Sequence, residues 1–309
     1  MQPMRTVVAM VAIVVASASL AQSDATRLNR LIELFENDEP AFGVLSFDYS
    51  LENARSMATS GLDFLFIDME HAPFEIERLR TFLLGMTNKR SIQEKGNLQP
   101  DVVPLVRIPA AAGAEETIAQ VKQVLDVGAF GVFFPSIGTA EQAELAVRST
   151  RYPQYNDAPD FEPEGLRGRN PSNAAWYWGV RDYHARADVW PLDPNGELLA
   201  IMFIESPEGV ENIGEIISVP GLGGIFIGPS DLATSMGYTS PAAPEVESAI
   251  QTVLAACLDH DVPCAITTNA RTVEDRIAQG FRFVTVGTDG GLSAGASNAL
   301  RLGRDAAGR

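Results

Sequence analysis

An apolar run that ends in two carboxylates and an imidazole is the first feature of this sequence to suggest chemistry. The stretch GLDFLFIDMEHAPFE, residues 61–75, is apolar up to Ile67 and then carries Asp68, Glu70 and His71 within four positions. An imidazole titrates near neutral pH, so a histidine beside two acids suits proton transfer. The alternative interpretation is an ordinary loop histidine with satisfied hydrogen bonds.

Arg107 in PLVRIP is the second candidate, because it also follows apolar residues. A guanidinium at a buried position needs an anionic partner, since burying it unpaired is costly. That partner is either a carboxylate or enolate oxygen of a substrate, or one of the acids Asp68 and Glu70 in a structural salt bridge. The sequence leaves both interpretations open.

Glu205 and Asp231 are the natural candidates for metal ligands. They follow the apolar runs of IMFIESPEG and GIFIGPSD, and paired carboxylates with other positions open to water suit Mg²⁺, Mn²⁺ or Co²⁺. The chain has only two Cys and three His, which excludes a zinc cage of thiolates or imidazoles. Either acid alone could instead cap the helix that follows it. As a pair at neighbouring strand ends, metal ligation is the favoured interpretation.

These side chains need a scaffold that brings distant strand ends together. Short apolar runs bounded by turn residues predict eight strands, with segments of helical spacing between them. Near-continuous apolar strands that alternate with helices are typical of a parallel sheet covered by helices. The predicted strands are 42–46, 64–67, 102–108, 131–135, 199–204, 224–227, 262–266 and 283–286, and the clearest predicted helices are 115–127, 139–150, 208–218, 244–259 and 273–279.

Eight such units predict an α/β fold of the (β/α)₈ TIM barrel class in a single domain. A barrel gathers the carboxyl ends of its strands at one rim, so the candidate residues would converge there. Two insertions interrupt the repeat, at 86–101 and 152–195, and loops this long are often lids or subunit contacts. A further helix over about 26–35 is expected to plug the opposite end of the barrel.

Composition and charge limit the partners of this chain of 309 residues. Its formal net charge is −17, and no run of Lys or Arg interrupts the acidic balance. Binding to nucleic acid through phosphate contacts is therefore excluded, whereas an anionic small molecule could bind where an Arg or a metal supplies positive charge. Cys257 and Cys264 are expected to be free thiols, although an oxidising compartment would permit a disulfide.

The beginning of the chain has the layout of a secretory signal peptide. An apolar stretch starts at Val7, and Ser19 and Ala21 occupy the −3 and −1 positions of a cleavage site. About ten apolar residues are too few for a stable membrane span, although an uncleaved anchor is the alternative. We therefore expect residues 1–21 to be removed on export to the periplasm or the medium. Residues 22–309 would then form a barrel protein without a membrane segment.

Several motifs together resemble the HpcH/HpaI family of class II aldolases. They occur in the order seen in that family and extend over about residues 41–299, nearly all of the expected mature chain. The motifs are FLFIDMEHAPFE, PLVRIP, VLDVGAFGVFFPSIGTAEQAELAV, the pair RYP and GLRG, IMFIESPEGVENIGEI, GIFIGPSDLATSMGY and GFRFVTVGTDGGL.

The resemblance implies a metal-dependent lyase that assembles as a homo-oligomer, a trimer or a hexamer. A divalent metal (Mg²⁺, Mn²⁺ or Co²⁺) held by Glu205 and Asp231 would bind the 2-oxo acid, polarise its 2-oxo group and stabilise the enolate. Arg107 would add a second positive contact to the enolate oxygen. The implied reaction is the reversible retro-aldol cleavage of a 4-hydroxy-2-oxo acid to pyruvate and an aldehyde.

The resemblance also gives roles to residues that the patterns alone do not assign. His71 would act with a metal-bound water on the proton of the aldol hydroxyl, and Asp126 in VLDVG would orient His71, in the same chain or across a subunit interface. Asp68 and Glu70 would hold metal-bound waters and Arg107. Backbone groups would line the pyruvate pocket at Pro135, Ser136, Gly228, Pro229 and Ser230.

Departures from the family pattern leave the aldehyde unnamed and other functions open. Met69 stands where the family frequently has a small residue, and both insertions lie where the aldehyde would enter. One rival is a CoA-thioester lyase like the citrate lyase β subunit, against which the lack of a basic groove argues. A second is an exported protein that binds a 2-oxo acid without turnover. A third, a phosphosugar barrel, rests only on the sequence GTDGG after the last strand.

Overall fold

Eight parallel strands form a closed barrel. The computed structural model describes residues 27–110, 113–289 and 293–309. The strands pair in chain order, and β1 also pairs with β8, which closes the sheet and confirms the predicted (β/α)₈ fold. They are β1 (Ala41–Ser46), β2 (Phe64–Asp68), β3 (Val103–Arg107), β4 (Gly131–Phe134), β5 (Leu199–Ile204), β6 (Gly224–Ile227), β7 (Cys264–Thr267) and β8 (Phe283–Thr288).

Helices cover the outside of the barrel and also occupy both insertions. The predicted helix 208–218 is two short helices in the structure, because the chain breaks at Asn212, whose side-chain amide donates to the Gly138 carbonyl at 2.8 Å. The helices are α1 (Arg30–Glu36), α2 (Leu51–Ala58), α3 (Ile76–Gly85), α4 (Lys89–Lys95), α5 (Ala114–Asp126), α6 (Ala140–Thr150), α7 (Ser172–Trp178), α8 (Tyr183–Arg186), α9 (Pro207–Glu211), α10 (Ile213–Ile217), α11 (Pro229–Ser235), α12 (Pro244–Asp259), α13 (Val273–Gln279) and α14 (Ala294–Ala307).

Phenylalanine fills the interior of the barrel. The rings of Phe66 and Phe133 stack with centroids 4.1 Å apart, and those of Phe203 and Phe226 stack at 4.4 Å. The two stacks meet edge to face, which is a favourable arrangement for aromatic rings. The interior is therefore a packed apolar layer rather than a channel.

Helix α1 closes the amino-terminal end of the barrel, as predicted, although it begins at Arg30. Leu31 and Ile32 are fully buried against the barrel. The side-chain amide of Asn29 donates to the carbonyls of Phe130 and Glu197, at 3.3 and 3.0 Å, just before β4 and β5. The plug is thus hydrogen-bonded to the strand starts as well as packed on them.

The second insertion is a packed substructure. Arg151, the residue just before this insertion, is fully buried. It binds Asp188 through two hydrogen bonds of 2.9 and 2.7 Å. Helices α7 and α8 lie between these residues, and helix α4 occupies the first insertion. Both insertions therefore carry defined structure.

The prediction that the two insertions lie where the aldehyde enters is wrong within one chain, because both lead into the start of a strand, at the amino-terminal end of the barrel: Gln99 donates to the Arg27 carbonyl and Trp178 to the Gly128 carbonyl, each at 2.8 Å.

No helix in the described ranges is long and apolar enough to cross a membrane. The predicted signal peptide, residues 1–21, lies outside those ranges, so its removal stays a prediction. Cys257 and Cys264 are both buried and free, as expected. Because the Cys264 side chain lies within an apolar environment and beside Cys257, the pKa of its thiol is raised.

Candidate active site

The candidate residues are the next inward-facing positions above the phenylalanine layer. Side chains alternate between the two faces of a strand, so residue i+2 points the same way as residue i. On β2 and β5 this rule places Asp68 after Phe66 and Glu205 after Phe203. The strand register pairs Asp68 of β2 with Arg107 of β3, so these two residues lie at the same height in the barrel. An apolar floor with charged groups at the carboxyl rim is the result.

Arg107 is bound by both acids of the DMEH turn. Its Nε donates to Asp68 Oδ1 at 3.0 Å, its Nη2 donates to Asp68 Oδ2, and its Nη1 lies 3.1 Å from Glu70 Oε2. The guanidinium also lies 5.2 Å from the ring centroids of Phe66 and Phe203. Only 5% of Arg107 is exposed. Its contacts with Asp68 and Glu70 are the structural salt bridge that was one of the two interpretations of the sequence.

Glu70 and His71 lie at the outer side of this ion pair. Burial raises the pKa of Glu70, as does the nearby charge of Glu205, while Arg107 lowers it. His71 Nε2 is 3.8 Å from Glu70 Oε2, and 59% of the His71 side chain is exposed. The imidazole is thus accessible to solvent and to a ligand at the rim.

Glu205 is a buried carboxylate with one oxygen left without a protein donor. Its Oε1 accepts from the backbone N–H of Ser136 at 2.7 Å and from the Ser136 hydroxyl at 3.1 Å. Among the described residues, Oε2 accepts no hydrogen bond. Ser136 has a positive φ of 56°, a backbone conformation that non-glycine residues rarely adopt. The backbone just after β4 therefore holds one oxygen of Glu205 and leaves the other available.

Gly228 and Asp231 bring the end of β6 to the free oxygen of Glu205. A Cβ at Gly228 would stand 2.9 Å from Oε2, so only glycine leaves this space open. Burial raises the pKa of Glu205, the Ser136 hydrogen bonds lower it, and the charge of Asp231 raises it. Asp231 lies in the first turn of α11 and is exposed.

This donor set fits a hard divalent cation. It offers carboxylate oxygens, which are the ligands that such cations prefer, and a cation would relieve the repulsion between Glu205 and Asp231. Of the predicted pocket residues, Ser136 donates directly to Glu205. Pro135 and Ser136 also line a cavity of about 280 Å³, which they share with Thr117 of α5 and Gln142 of α6. Pro229 and Ser230 follow Gly228 at the start of α11.

A second group of acids in the described ranges is occupied by an arginine. Asp160, Asp188 and Asp193 have carboxylate oxygens within 4.8 Å of one another. The Nη2 of Arg151 lies 3.0 Å from Asp160 and 2.7 Å from Asp188, so the positive charge is already supplied. This group stabilises the second insertion.

The structure does not bring Asp126 to His71 within one chain. Asp126 ends α5, just before β4, and so lies toward the amino-terminal end of the barrel, opposite the rim that carries Arg107 and Glu205. Its Oδ1 accepts from Nη2 of the buried Arg167 at 2.9 Å, and burial raises its pKa while Arg167 lowers it. Any role beside His71 would need a neighbouring subunit.

Sequence reasoning missed two residues at the rim, Tyr49 and Asp289. The Tyr49 hydroxyl donates to the backbone carbonyl of Asp68, and Asp289 binds the loop that carries Tyr49. Each follows a strand end, which was the available signal. The closure of β8 onto β1, which places Asp289 near the first loop, could have suggested the contact.

Comparison with known proteins agrees with this geometry. The profile of the family described as HpcH/HpaI aldolase/citrate lyase matches residues 49–296. The chain belongs to the HpcH/HpaI aldolase/citrate lyase family. A curated relative, 5-keto-4-deoxy-D-glucarate aldolase of Citrobacter koseri, is 34% identical over 247 residues, which are 79% of this chain and 84% of the relative. The predicted family and the prediction of an aldehyde-lyase enzyme are confirmed.

Solved structures of this family have the same barrel. A HpcH/HpaI aldolase/citrate lyase family protein from Burkholderia cenocepacia J2315 superposes with a TM-score of 0.71 and 32% identity, covering 90% of this chain and 97% of its own. The citrate lyase beta subunit from M. tuberculosis, solved with oxaloacetate and magnesium, gives 0.52 and 14% identity over 89% and 99%. At that identity the second likeness shows the fold alone.

Proposed function

We propose that this enzyme cleaves a 4-hydroxy-2-oxo acid to pyruvate and an aldehyde in a reversible, metal-dependent retro-aldol reaction. The observation that carries the proposal is the convergence, on one rim, of Glu205 with a free carboxylate oxygen and Arg107 on an apolar floor. The first group suits a cation and the second suits an oxyanion. Both are needed where a carbon–carbon bond breaks and leaves an enolate.

Glu205 and Asp231 would hold the divalent metal. When bound, a divalent cation polarises the 2-oxo group and stabilises negative charge on its oxygen. Ser136 contributes by keeping Oε1 of Glu205 fixed, so that Oε2 is presented in one orientation. Gly228 leaves room beside that oxygen for a ligand.

Arg107 stabilises the developing enolate oxygen. Its guanidinium is preorganised by Asp68 and by two phenylalanine rings, so little reorganisation is required when charge develops. The same contacts bury it above the apolar floor, where its charge acts more strongly than in water.

His71 carries the proton transfer at the aldol hydroxyl. The imidazole is exposed at the rim, and its Nε2 stands 3.8 Å from Glu70 Oε2. In the cleavage direction His71 accepts the hydroxyl proton, and in the synthesis direction it returns the proton to the aldehyde oxygen.

The names of the relatives support a first choice of substrate to test. The curated relatives that we compare are named for 5-keto-4-deoxy-D-glucarate, so a sugar-acid derivative of this kind is the substrate class to test first. Met69 directly follows Asp68 at the rim and distinguishes this chain there, so a different aldehyde is the expected consequence if that substrate is not cleaved.

We also infer a homo-oligomer, a trimer or a hexamer, and export of the chain. Asp126 supports the first inference, because it can orient His71 only from a neighbouring subunit. Light scattering of the purified protein gives the mass. Mixing inactive H71A and D126A subunits should restore part of the activity if the site is shared, and would restore none if Asp126 has no such role.

Pyruvate release from a panel of 4-hydroxy-2-oxo acids tests the proposed reaction. Coupling to lactate dehydrogenase makes pyruvate visible as loss of NADH, and the panel includes 5-keto-4-deoxy-D-glucarate. We expect turnover that stops with EDTA and returns with Mg²⁺, Mn²⁺ or Co²⁺. Activity that persists in EDTA and in E205A would overturn the metal assignment. An absence of pyruvate with every substrate would overturn the reaction itself.

A further inference from the structure

The loop between β1 and α2 is fastened to the end of β8 by a single carboxylate oxygen. Oδ2 of Asp289 accepts four hydrogen bonds: from the Ser46 hydroxyl at 2.6 Å, the Phe47 N–H at 2.9 Å, the Asp48 N–H at 3.0 Å and the Asn53 amide at 2.9 Å. The Asp289 N–H also donates to the Leu45 carbonyl at 2.8 Å. Loop and strand end are thus joined across the seam where the barrel closes.

The same loop is fastened on its other side to the end of β2. Tyr49, which follows the residues bound by Asp289, donates its hydroxyl to the backbone carbonyl of Asp68. Its ring packs edge to face on Phe82, with centroids 6.2 Å apart. Burial raises the pKa of Tyr49, and the charges of Asp68, Asp289 and Glu75 raise it further, so the hydroxyl remains a donor.

Asp68 is the residue through which this loop reaches the reacting groups. Its carboxylate binds Arg107 through both oxygens, and Oδ1 also accepts from the N–H groups of Glu70 and His71 at 3.0 and 3.3 Å. A shift of the Asp68 backbone would therefore move the guanidinium and the imidazole together. The carbonyl that Tyr49 binds belongs to that backbone.

We propose that Tyr49 and Asp289 are positioning residues for the reaction: Asp289 holds the β1–α2 loop, and Tyr49 uses that loop to fix the Asp68 strand end and, through it, Arg107 and His71. The proposal rests on the proposed function. Neither residue needs to touch the substrate. Their effect on catalysis passes through Asp68, which is what distinguishes them from residues that only stabilise a surface loop.

Y49F is the sharpest variant, because it keeps the ring on Phe82 and removes only the hydroxyl. We expect kcat for pyruvate release to fall about tenfold with little change in KM, since small misplacements of catalytic groups mainly raise the barrier. D289N retains one acceptor oxygen where D289A retains none, so activity should decrease from wild type to D289N to D289A. Equal activity in all three would contradict the role of Asp289.

A double mutant separates positioning from general stability. Because Tyr49 is proposed to act through both Arg107 and His71, the loss caused by Y49F should be smaller in the R107A background than in wild type, since coupled residues are not additive. A Y49F loss of the same size in both backgrounds would overturn the proposal. S50A is the matched control in the same loop. The Ser50 hydroxyl caps α2 by accepting from the Asn53 N–H and donates to Asp48 Oδ2 at 3.0 Å, and neither bond involves Asp289, Tyr49 or Asp68. Its loss should therefore lower stability and leave kcat unchanged.

Hydrogen exchange provides a readout that does not depend on the reaction. In Y49F the N–H groups of Glu70 and His71, which donate to Asp68, should exchange faster than in wild type and in S50A. Faster exchange in a protein that releases no pyruvate would uphold the positioning role and reject the proposed function. Unchanged exchange together with unchanged kcat would reject the positioning role alone.

Discussion

At the level of single residues, Arg107 is a nearly buried guanidinium that is held by acids and by aromatic rings. A planar guanidinium can meet both oxygens of Asp68 and lie against two rings at once, and a lysine ammonium cannot reproduce this fork. R107K should therefore lower kcat/KM for pyruvate release by about 100-fold, the typical loss of one oxyanion contact. Steady-state kinetics with the best substrate of the panel measures it.

The control for this variant is R78K, which changes an arginine that is paired with Glu75 and 69% exposed in its side chain. Its kcat/KM should remain at the wild-type value. If R107K also turned over normally, Arg107 would be a structural ion pair and the enolate contact would have to come from elsewhere.

At the level of elements, the junction between β6 and α11 is predicted to decide metal affinity. G228A introduces a Cβ where the nearest atom is Glu205 Oε2, at 2.9 Å, so the carboxylate must move. We expect the dissociation constant for Mn²⁺ to rise about tenfold, as for other groups that orient a ligand. Calorimetric titration of the metal-free protein reports this independently of turnover.

G214A is the matched control, because a Cβ at Gly214 in α10 meets nothing within 4 Å. Its Mn²⁺ affinity should equal that of wild type. Unaltered affinity in both variants would argue against Glu205 as a ligand.

The ion pair between α12 and α13 should make stability depend on pH. Arg276 binds both oxygens of Glu247 at 2.7 Å, and these hydrogen bonds hold the pKa of Glu247 below its ordinary value of 4.5. Because the folded-state pKa is depressed, this stabilisation is complete above that ordinary value and is lost as pH falls through the folded pKa. Since 39% of the Glu247 side chain is exposed, E247Q should cost about 0.5 kcal/mol at neutral pH.

Urea denaturation at neutral pH and at pH values below the ordinary pKa of a glutamate measures this difference. The gap between wild type and E247Q should shrink as the pH is lowered. E144Q, in an exposed pair with 3.6 Å between Glu144 and Arg148, serves as a control and should change the unfolding free energy less. A gap that widens in acid would contradict the assignment.

The elements themselves were largely predictable, whereas their fine contacts were not. Strand β5 could be predicted because its six consecutive apolar residues are typical of a buried parallel strand in a chain where strands alternate with helices. The break at Asn212 could not, because it depends on a hydrogen bond to Gly138, 74 positions away. For the same reason the pairing of Asp126 with Arg167, inside a long insertion, had no local signal.

The residues of the site also divide into those that the sequence could predict and those that it could not. Asp68, Arg107 and Glu205 could be selected because each stands at the end of an apolar run, and barrel topology alone brings strand ends together. The contacts of Asp289 and Tyr49 depend on how one loop lies across the barrel seam, and spacing along the sequence contains no information about that.

At the level of the whole molecule, the barrel holds the chain a few residues after the predicted cleavage site. The N–H groups of Leu28 and Asn29 donate to the buried Glu197 at 3.0 and 2.9 Å. Both residues follow Ala21 in the sequence, so cleavage there would keep these two contacts. We predict that protein exported from cells begins at Gln22, as mass spectrometry of the intact chain would show.

Replacing the small residue at the −1 position gives the control, because A21F should block cleavage without altering the barrel. Chains that keep Met1 and remain in the cytosol in both forms would contradict export. The catalytic assignments would not be affected by that outcome.

The aromatic composition of the barrel has a spectroscopic consequence. The interior under the rim contains phenylalanine, while all three tryptophans, Trp176, Trp178 and Trp190, lie in the second insertion. Trp176 is 80% exposed and Trp178 only 3%. Intrinsic tryptophan emission is therefore a reporter of that insertion alone: it should stay constant when a ligand fills the rim, and it should respond when a neighbouring subunit covers Trp176.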